Sequence, residues 1–179
     1  QEIINNGLIA GMYQVGILFK NSEIYLPEVI VSARTMHTAL DILHPLLKKG
    51  EMKSSGTVVI GTVKSDVHDI GKNLVAMMLE GAGFEVFDIG VDQPAENFVK
   101  AAQMRNADAV ALSALLSTTT KEMSVVIEAL KKAGIRDRIK VMVGGAPITE
   151  SFAKSIGADG YAPDGSSAAE ELKKLLKKE

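Results

Sequence analysis

Two hydrophobic periodicities divide the chain. Over residues 1–49 the apolar positions recur at three- and four-residue steps. Ile3, Ile4, Leu8, Met12, Val15 and Leu18 form one stripe; Val29, Ala33, Met36, Leu40, Leu43 and Leu47 form a second. Steps of that size put side chains on one face of an α-helix, so the pattern predicts two helices, interrupted at Asn21 and Ser22. Pro27 suits the first turn of the second helix, Gly50 suits its end, and His44 ahead of Pro45 marks a kink. Two antiparallel helices leave apolar surface that further helices, another domain or a ligand must cover.

Residues 51–56 are polar and small and read as a linker. Beyond them the pattern changes to short β-branched or apolar runs alternating with amphipathic stretches. Strands are predicted over 57–63, 84–89, 109–113, 140–143 and 160–162, and helices over 69–83, 94–104, 119–133, 148–156 and 166–178. Strands that are apolar without alternation belong to parallel sheets covered on both faces. The expected fold is therefore α/β, a flavodoxin-like, doubly wound, five-stranded parallel sheet. In that strand order ligands bind past the carboxyl ends of the strands, where the order switches between the first and third. The loops after Val63, Ser113 and Val143 are the ones to inspect.

Composition removes most alternatives. Among 179 residues there are no cysteines, so disulfides, thiolate metal sites, iron–sulfur clusters and cysteine nucleophiles are excluded. The absence of cysteine is compatible with a reducing cytoplasm. A net charge of −2 and 4% aromatic residues offer neither the basic surface nor the stacking platforms of a nucleic-acid binder. No apolar run reaches the roughly 18 residues of a membrane span. Three histidines remain as nitrogen ligands: His37, His44 and His68. His37 and His44 lie on the helical stretches and read as helix-surface or core residues. The lysines at 173, 174, 177 and 178 read as a solvated face at a helix C-terminus.

The loop after the first strand runs Lys64-Ser65-Asp66-Val67-His68-Asp69-Ile70-Gly71. A carboxylate two residues before a histidine is placed to hold one ring nitrogen and free the other for a metal. Gly71 removes a side chain where a bulky ligand would approach. Taken alone, the same loop reads more readily as a surface turn with Asp69 capping the next helix. The loop from Ser113 to Thr120 is small and hydroxylic; it reads as a smooth ligand wall, or as a strand end with Thr118 or Thr119 as helix cap. The pair Gly144-Gly145 permits close backbone approach, or is a plain turn. A phosphate-binding Gly-x-x-x-x-Gly-Lys-Ser/Thr loop and a Gly-x-Ser-x-Gly elbow are both absent. One histidine cannot build a zinc enzyme site, but it can complete a metal already held by a macrocycle.

The set Asp66-x-His68-x-x-Gly71, Ser113-x-Leu115 and Gly144-Gly145, in that order and spacing, resembles the corrinoid-binding methyl-carrier proteins of methyltransferase systems. Those proteins, including the methylamine and methanol corrinoid proteins, share their cobalamin module with cobalamin-dependent methionine synthase. The N-terminal Gly16-x-Leu18-Phe19, Tyr25-Leu26-Pro27 and Ser32-Ala33-x-x-Met36 resemble their helical cap, which adenosylcobalamin isomerases lack.

The resemblance implies cobalamin as cofactor, as methylcobalamin, cob(I)alamin or cob(II)alamin, bound base-off with His68 as the lower cobalt ligand. Asp66 would bond His68, and Thr119 would extend the relay where methionine synthase has a serine. Val67, Asp69, Ile70, Gly71, Ser113, Leu115, Ser117, Gly144 and Gly145 would complete the cofactor site. Phe19 and Leu26 would cover the upper corrin face. The implied organisation is a cap over residues 1–53, holding the last two helices of a truncated four-helix bundle, and a Rossmann-like cobalamin-binding domain over 54–179.

The implied activity is methyl carriage, as the carrier subunit of a cobalamin-dependent methyltransferase that is non-catalytic on its own. The expected partners are a substrate-specific methyltransferase, an acceptor methyltransferase and a reductive activation protein, in the cytoplasm, with no nucleic acid and no membrane. The alternatives are a cobalamin-dependent sensor, an adenosylcobalamin isomerase subunit, or a flavodoxin-like module for another ligand.

Overall fold

The computed structural model describes residues 2–43 and 54–176. The first apolar stripe is helical throughout, a π-helical segment Ile3–Ile9 running into α1 (Ala10–Lys20). The break at Asn21 and Ser22 is a turn in which Ser22 takes φ 60. It is followed by α2 (Leu26–Leu43), whose start is capped by Glu28: the Tyr25 N–H donates to Glu28 Oε2 at 3.0 Å. The expected kink at His44-Pro45, the helix end at Gly50 and the linker residues 51–53 lie outside the described residues. Of that linker, Ser55 is described and its N–H donates to the Gly83 carbonyl at 2.9 Å.

The remainder alternates as expected: β1 (Thr57–Thr62), α3 (Ile70–Gly81), β2 (Glu85–Asp88), α4 (Ala95–Met104), β3 (Ala109–Ser113), α5 (Lys121–Lys132), β4 (Lys140–Gly144), α6 (Glu150–Ile156), β5 (Gly160–Tyr161) and α7 (Gly165–Leu176). A short 3-10 turn, Arg136–Arg138, precedes β4 and has no counterpart in the sequence reading. The strands form one sheet of order β2-β1-β3-β4-β5, parallel at every pairing, with Val58 opposite Ala109 and Ala111 opposite Met142.

Alternate residues of each strand serve opposite faces. Val59, Val110, Leu112, Val141 and Val143 pack against Phe98 of α4 and Met123, Ile127 and Leu130 of α5. Val58, Ile60, Ala109, Ala111 and Met142 face Ala76 and Leu79 of α3 and Ala168 and Leu172 of α7. On that second face the N-terminal helices find part of the cover they need. Met12, Ala33 and Met36 form a small buried cluster with Met77 of α3, and a Cβ at Gly81 would fall 2.8 Å from Met12 Cβ. The Ser166 hydroxyl donates to the Gly16 carbonyl at 2.9 Å. His37 is a bridging residue: its Nε2 lies 2.9 Å from Glu80 Oε2 on α3.

Candidate functional site

A cavity of about 640 Å³ opens at the carboxyl edge of β1, β3 and β4, between the sheet and the pair α3 and α7. The switch in strand order puts it there: β1 feeds α3 on one face and β3 feeds α5 on the other, so their loops part and leave a crevice. Its floor is Ile60, Ala111 and Met142; its walls are largely small residues, Gly144, Gly145, Ala146, Ala162, Gly165 and Ala168.

Asp66 and His68 meet at its rim. Asp66 is fully buried and its carboxylate gathers donors from two loops. Oδ1 accepts from the His68 N–H at 3.1 Å and lies 2.8 Å from His68 Nδ1. Oδ2 accepts from the Leu115 N–H at 2.8 Å, the Leu116 N–H at 3.2 Å and the Thr119 hydroxyl at 2.7 Å. Burial by itself would raise the Asp66 pKa. The bonds from Thr119, His68 and Leu115 outweigh it and hold the carboxyl well below the usual carboxylate range. The group is a fixed anion aimed at the imidazole. His68 has its other nitrogen, Nε2, unengaged among the described residues, its side chain remains 45% exposed, and it lines the cavity. The Thr62 hydroxyl, buried in β1, donates to the His68 carbonyl at 2.9 Å and anchors the backbone that carries the ring.

The other residues of interest divide. Phe19, Val67, Asp69, Ile70, Gly71, Ser113, Leu115, Gly144 and Gly145 line the cavity with His68. A Cβ at Gly71 would meet nothing within 4 Å, so this glycine leaves open space. Gly145 has another reason: at φ +131, a Cβ there would run into the Ala114 carbonyl. Asp66 and Thr119 sit behind the wall. Thr119 is not the helix cap; α5 begins after Thr120 without a side-chain cap bond, and the Thr119 hydroxyl turns to Asp66 instead. Asp69 occupies the position before α3 but makes no capping bond to the backbone; its Oδ2 accepts from the Asn73 amide at 3.2 Å.

Two expected cofactor residues are not brought to the cavity. Ser117 is on the exposed turn ahead of α5, where its carbonyl accepts from the Thr120 hydroxyl at 3.0 Å. Leu26 begins α2, beyond the turn that follows Phe19, and is half-buried away from the lining.

Beyond the three loops expected from the sequence, the cavity has a fourth wall, Ala162 to Gly165 after β5, and Lys72 in its lining. The run of small residues from Ala162 to Ala169 was the signal for that wall. Lys72 lines the cavity yet is 3% exposed. Its ammonium bonds Asn73 Oδ1 at 2.6 Å and forms an ion pair with Asp88 at the end of β2. A lysine in the first turn opposes the helix dipole, which marks it as a residue held by tertiary contacts.

Residues 56–173 match the family model described as B12 binding domain, and residues 1–44 match a second model of the same description. Dimethylamine corrinoid protein 2 of Methanosarcina acetivorans is 51% identical over 176 residues, covering 98% of this chain and 82% of that protein. Among solved structures, the methanol:cobalamin methyltransferase complex MtaBC of Methanosarcina barkeri superposes with a TM-score of 0.88 at 30% identity, over 98% of this chain and 67% of that one. The monomethylamine corrinoid protein of Methanosarcina barkeri gives 0.64 at 36% identity, over 97% and 82%.

Proposed function

Because the chain belongs to the family of B12-binding corrinoid proteins and takes cobalamin as its cofactor, we propose that it carries a methyl group between two methyltransferases, and that His68 would hold the cobalt through Nε2. The single observation that carries the axial assignment is the pairing of His68 Nδ1 with a buried, ionised Asp66, which leaves Nε2 at the rim of a deep cavity. The residues present fit the cofactor. The open space at Gly71 and the small-residue walls leave a slot for a displaced nucleotide tail, and the exposed Val67, Ile70 and Leu115 around His68 offer apolar surface to a macrocycle.

When bound, cobalamin supplies a cobalt centre that accepts and releases the methyl group. The chain's own residues hold and tune it. Asp66 fixes the ring orientation of His68, and the Thr119 hydroxyl and the Leu115 amide help keep that carboxylate ionised. Phe19 of α1 closes one side of the cavity.

The helical cap, residues 1–53, is in this reading a unit distinct from the module 54–179, and it moves aside for each partner to reach the cofactor. The partners are a substrate:corrinoid methyltransferase, an acceptor methyltransferase and a reductive activation protein. The methyltransferase named in the MtaBC complex supports the first of these. The setting in this reading is the cytoplasm, with which the cysteine-free composition is compatible.

The test is electron paramagnetic resonance of the protein loaded with cob(II)alamin, with and without ¹⁵N-histidine labelling. The axial nitrogen splitting should change with the label and vanish in His68→Gly. A splitting indifferent to the label removes His68 from the cobalt.

A further inference from the structure

The loop that carries Asp66 and His68 is braced by a second loop that contributes nothing to the cavity wall. Residues 89–94, between β2 and α4, are tied to the end of β1. The Thr62 N–H donates to the Gly90 carbonyl at 3.0 Å, the Gln93 N–H donates to the Thr62 carbonyl at 3.0 Å, and Val63 bridges to Gln93. At the tip of this loop Asp92 grips two consecutive residues of the first. Its Oδ1 accepts from the Ser65 N–H at 2.6 Å, and its own N–H donates to the Asp66 carbonyl at 2.8 Å.

Both sides of this grip are conformationally costly. Ser65 has φ 65 and Asp92 has φ 53. A non-glycine residue in that region costs of order 1 kcal/mol or more and persists only where its surroundings hold it. Neither residue is buried and neither lines the cavity, so packing does not explain the strain. The left-handed turn at Ser65 does have a consequence: with Ser65 and Val67 both exposed, Asp66 between them is fully buried. Thr119, Leu115 and Leu116 restrain the carboxylate from inside. The backbone from which it hangs is restrained from outside by Asp92, and a ligand-bearing ring that must be held within about 0.5 Å needs both.

We propose that Asp92 is a positioning residue for His68. Through the Ser65 N–H and the Asp66 carbonyl it sets where the Asp66 carboxylate sits, and the carboxylate sets the tautomer and direction of the imidazole. The proposal rests on His68 as the axial ligand.

Asp92→Gly is the informative variant. Glycine keeps φ 53 without cost and keeps the N–H bond to Asp66, so only the carboxylate on Ser65 is lost. In ligand-free protein, ¹⁵N NMR of His68 should report a fall in the Nδ1–H tautomer ratio of about three- to tenfold, the size of one hydrogen bond's net contribution. Loaded with cob(II)alamin, the variant should keep the cofactor while its label-sensitive nitrogen splitting falls in parallel. Asp92→Asn, which retains an acceptor at Oδ1, should behave as wild type. Adding Ser65→Gly to Asp92→Gly should restore part of the signal, because glycine adopts φ 65 without the steric cost of a Cβ.

A wild-type tautomer ratio and wild-type splitting in Asp92→Gly overturn the proposal, as does a loss that neither Asp92→Asn nor the double variant avoids. Wild-type protein without label-sensitive splitting overturns the axial reading instead. The ligand-free tautomer measurement still decides whether Asp92 governs the ring.

Discussion

The α/β module and the helical pair that precedes it differ in how completely they are buried. In the module, Leu79, Phe98, Ile127, Leu130 and Leu172 have no exposed surface, and the sheet is covered on both faces. In the helical pair the buried cluster is Met12, Ala33 and Met36, while Tyr25, Val31 and Ile42 are each more than 60% exposed. A residual cavity of about 50 Å³ lies in the seam between α1, α3 and α7. The module is thus the more completely packed frame, and it carries Asp66 and His68. The cap is seated on it by a methionine over a glycine, one serine hydroxyl, the contact of His37 Nε2 with Glu80 and the partly exposed Lys20–Glu170 ion pair. A unit with so few buried anchors opens at lower free energy than the core it rests on.

The contrast can be broken at its strong end. Phe98→Ala removes a fully buried ring from the core and should cost about 3–5 kcal/mol, read as a lower urea midpoint for the module and cap together. Asp66→Asn should come next, at about 2–4 kcal/mol, because an amide presents N–H to donors that now converge on a carboxylate. It carries a pH signature. The folded Asp66 pKa is depressed, so its stabilisation is present above the unfolded value near 3.9 and is lost as pH falls through the lower folded value. The acid limb of stability below about pH 4 should therefore be shallower in Asp66→Asn than in wild type.

At the weak end, Met12→Ala should cost about 1–2 kcal/mol and should lower protection of α1 and α2 amides while sparing β1, β3 and β4 in hydrogen exchange. Ser166→Ala, which removes only the hydroxyl on the Gly16 carbonyl, should cost about 1 kcal/mol and raise α1 exchange alone. Equal loss of protection across α1 and the strands in either variant would mean that cap and module open as one unit.

Much of the site was legible because its decisive contact is local. Asp66 and His68 are two residues apart in a turn, a spacing that puts Nδ1 within reach of the carboxylate, at 2.8 Å. The small-residue loops after β3 and β4 stand out by composition, and both line the cavity. Ser117 belongs to the same loop as Leu115 but lies outside the cavity lining. Its exposed turn directs it elsewhere, while Thr119, two residues on, reaches Asp66. Leu26 also lies outside the lining: the turn between α1 and α2 decides which residues near it reach the cavity, and Phe19 does. Lys72 was missed because nothing in its neighbourhood announces the carboxylate of Asp88, sixteen residues away.

By itself, then, the sequence determined the alternation of strands and helices, the parallel sheet and the single histidine beside an aspartate. These follow from periodicity and short spacings, which survive in one dimension. Only the tertiary structure decided how deep the crevice is, that the loop after β5 walls it, and that Asp88 neutralises a buried lysine. It also decided that Asp92 grips Ser65 and Asp66 from a neighbouring loop. Those contacts depend on which strand ends the sheet brings side by side, and residues far apart along the chain meet only once the strand order is set.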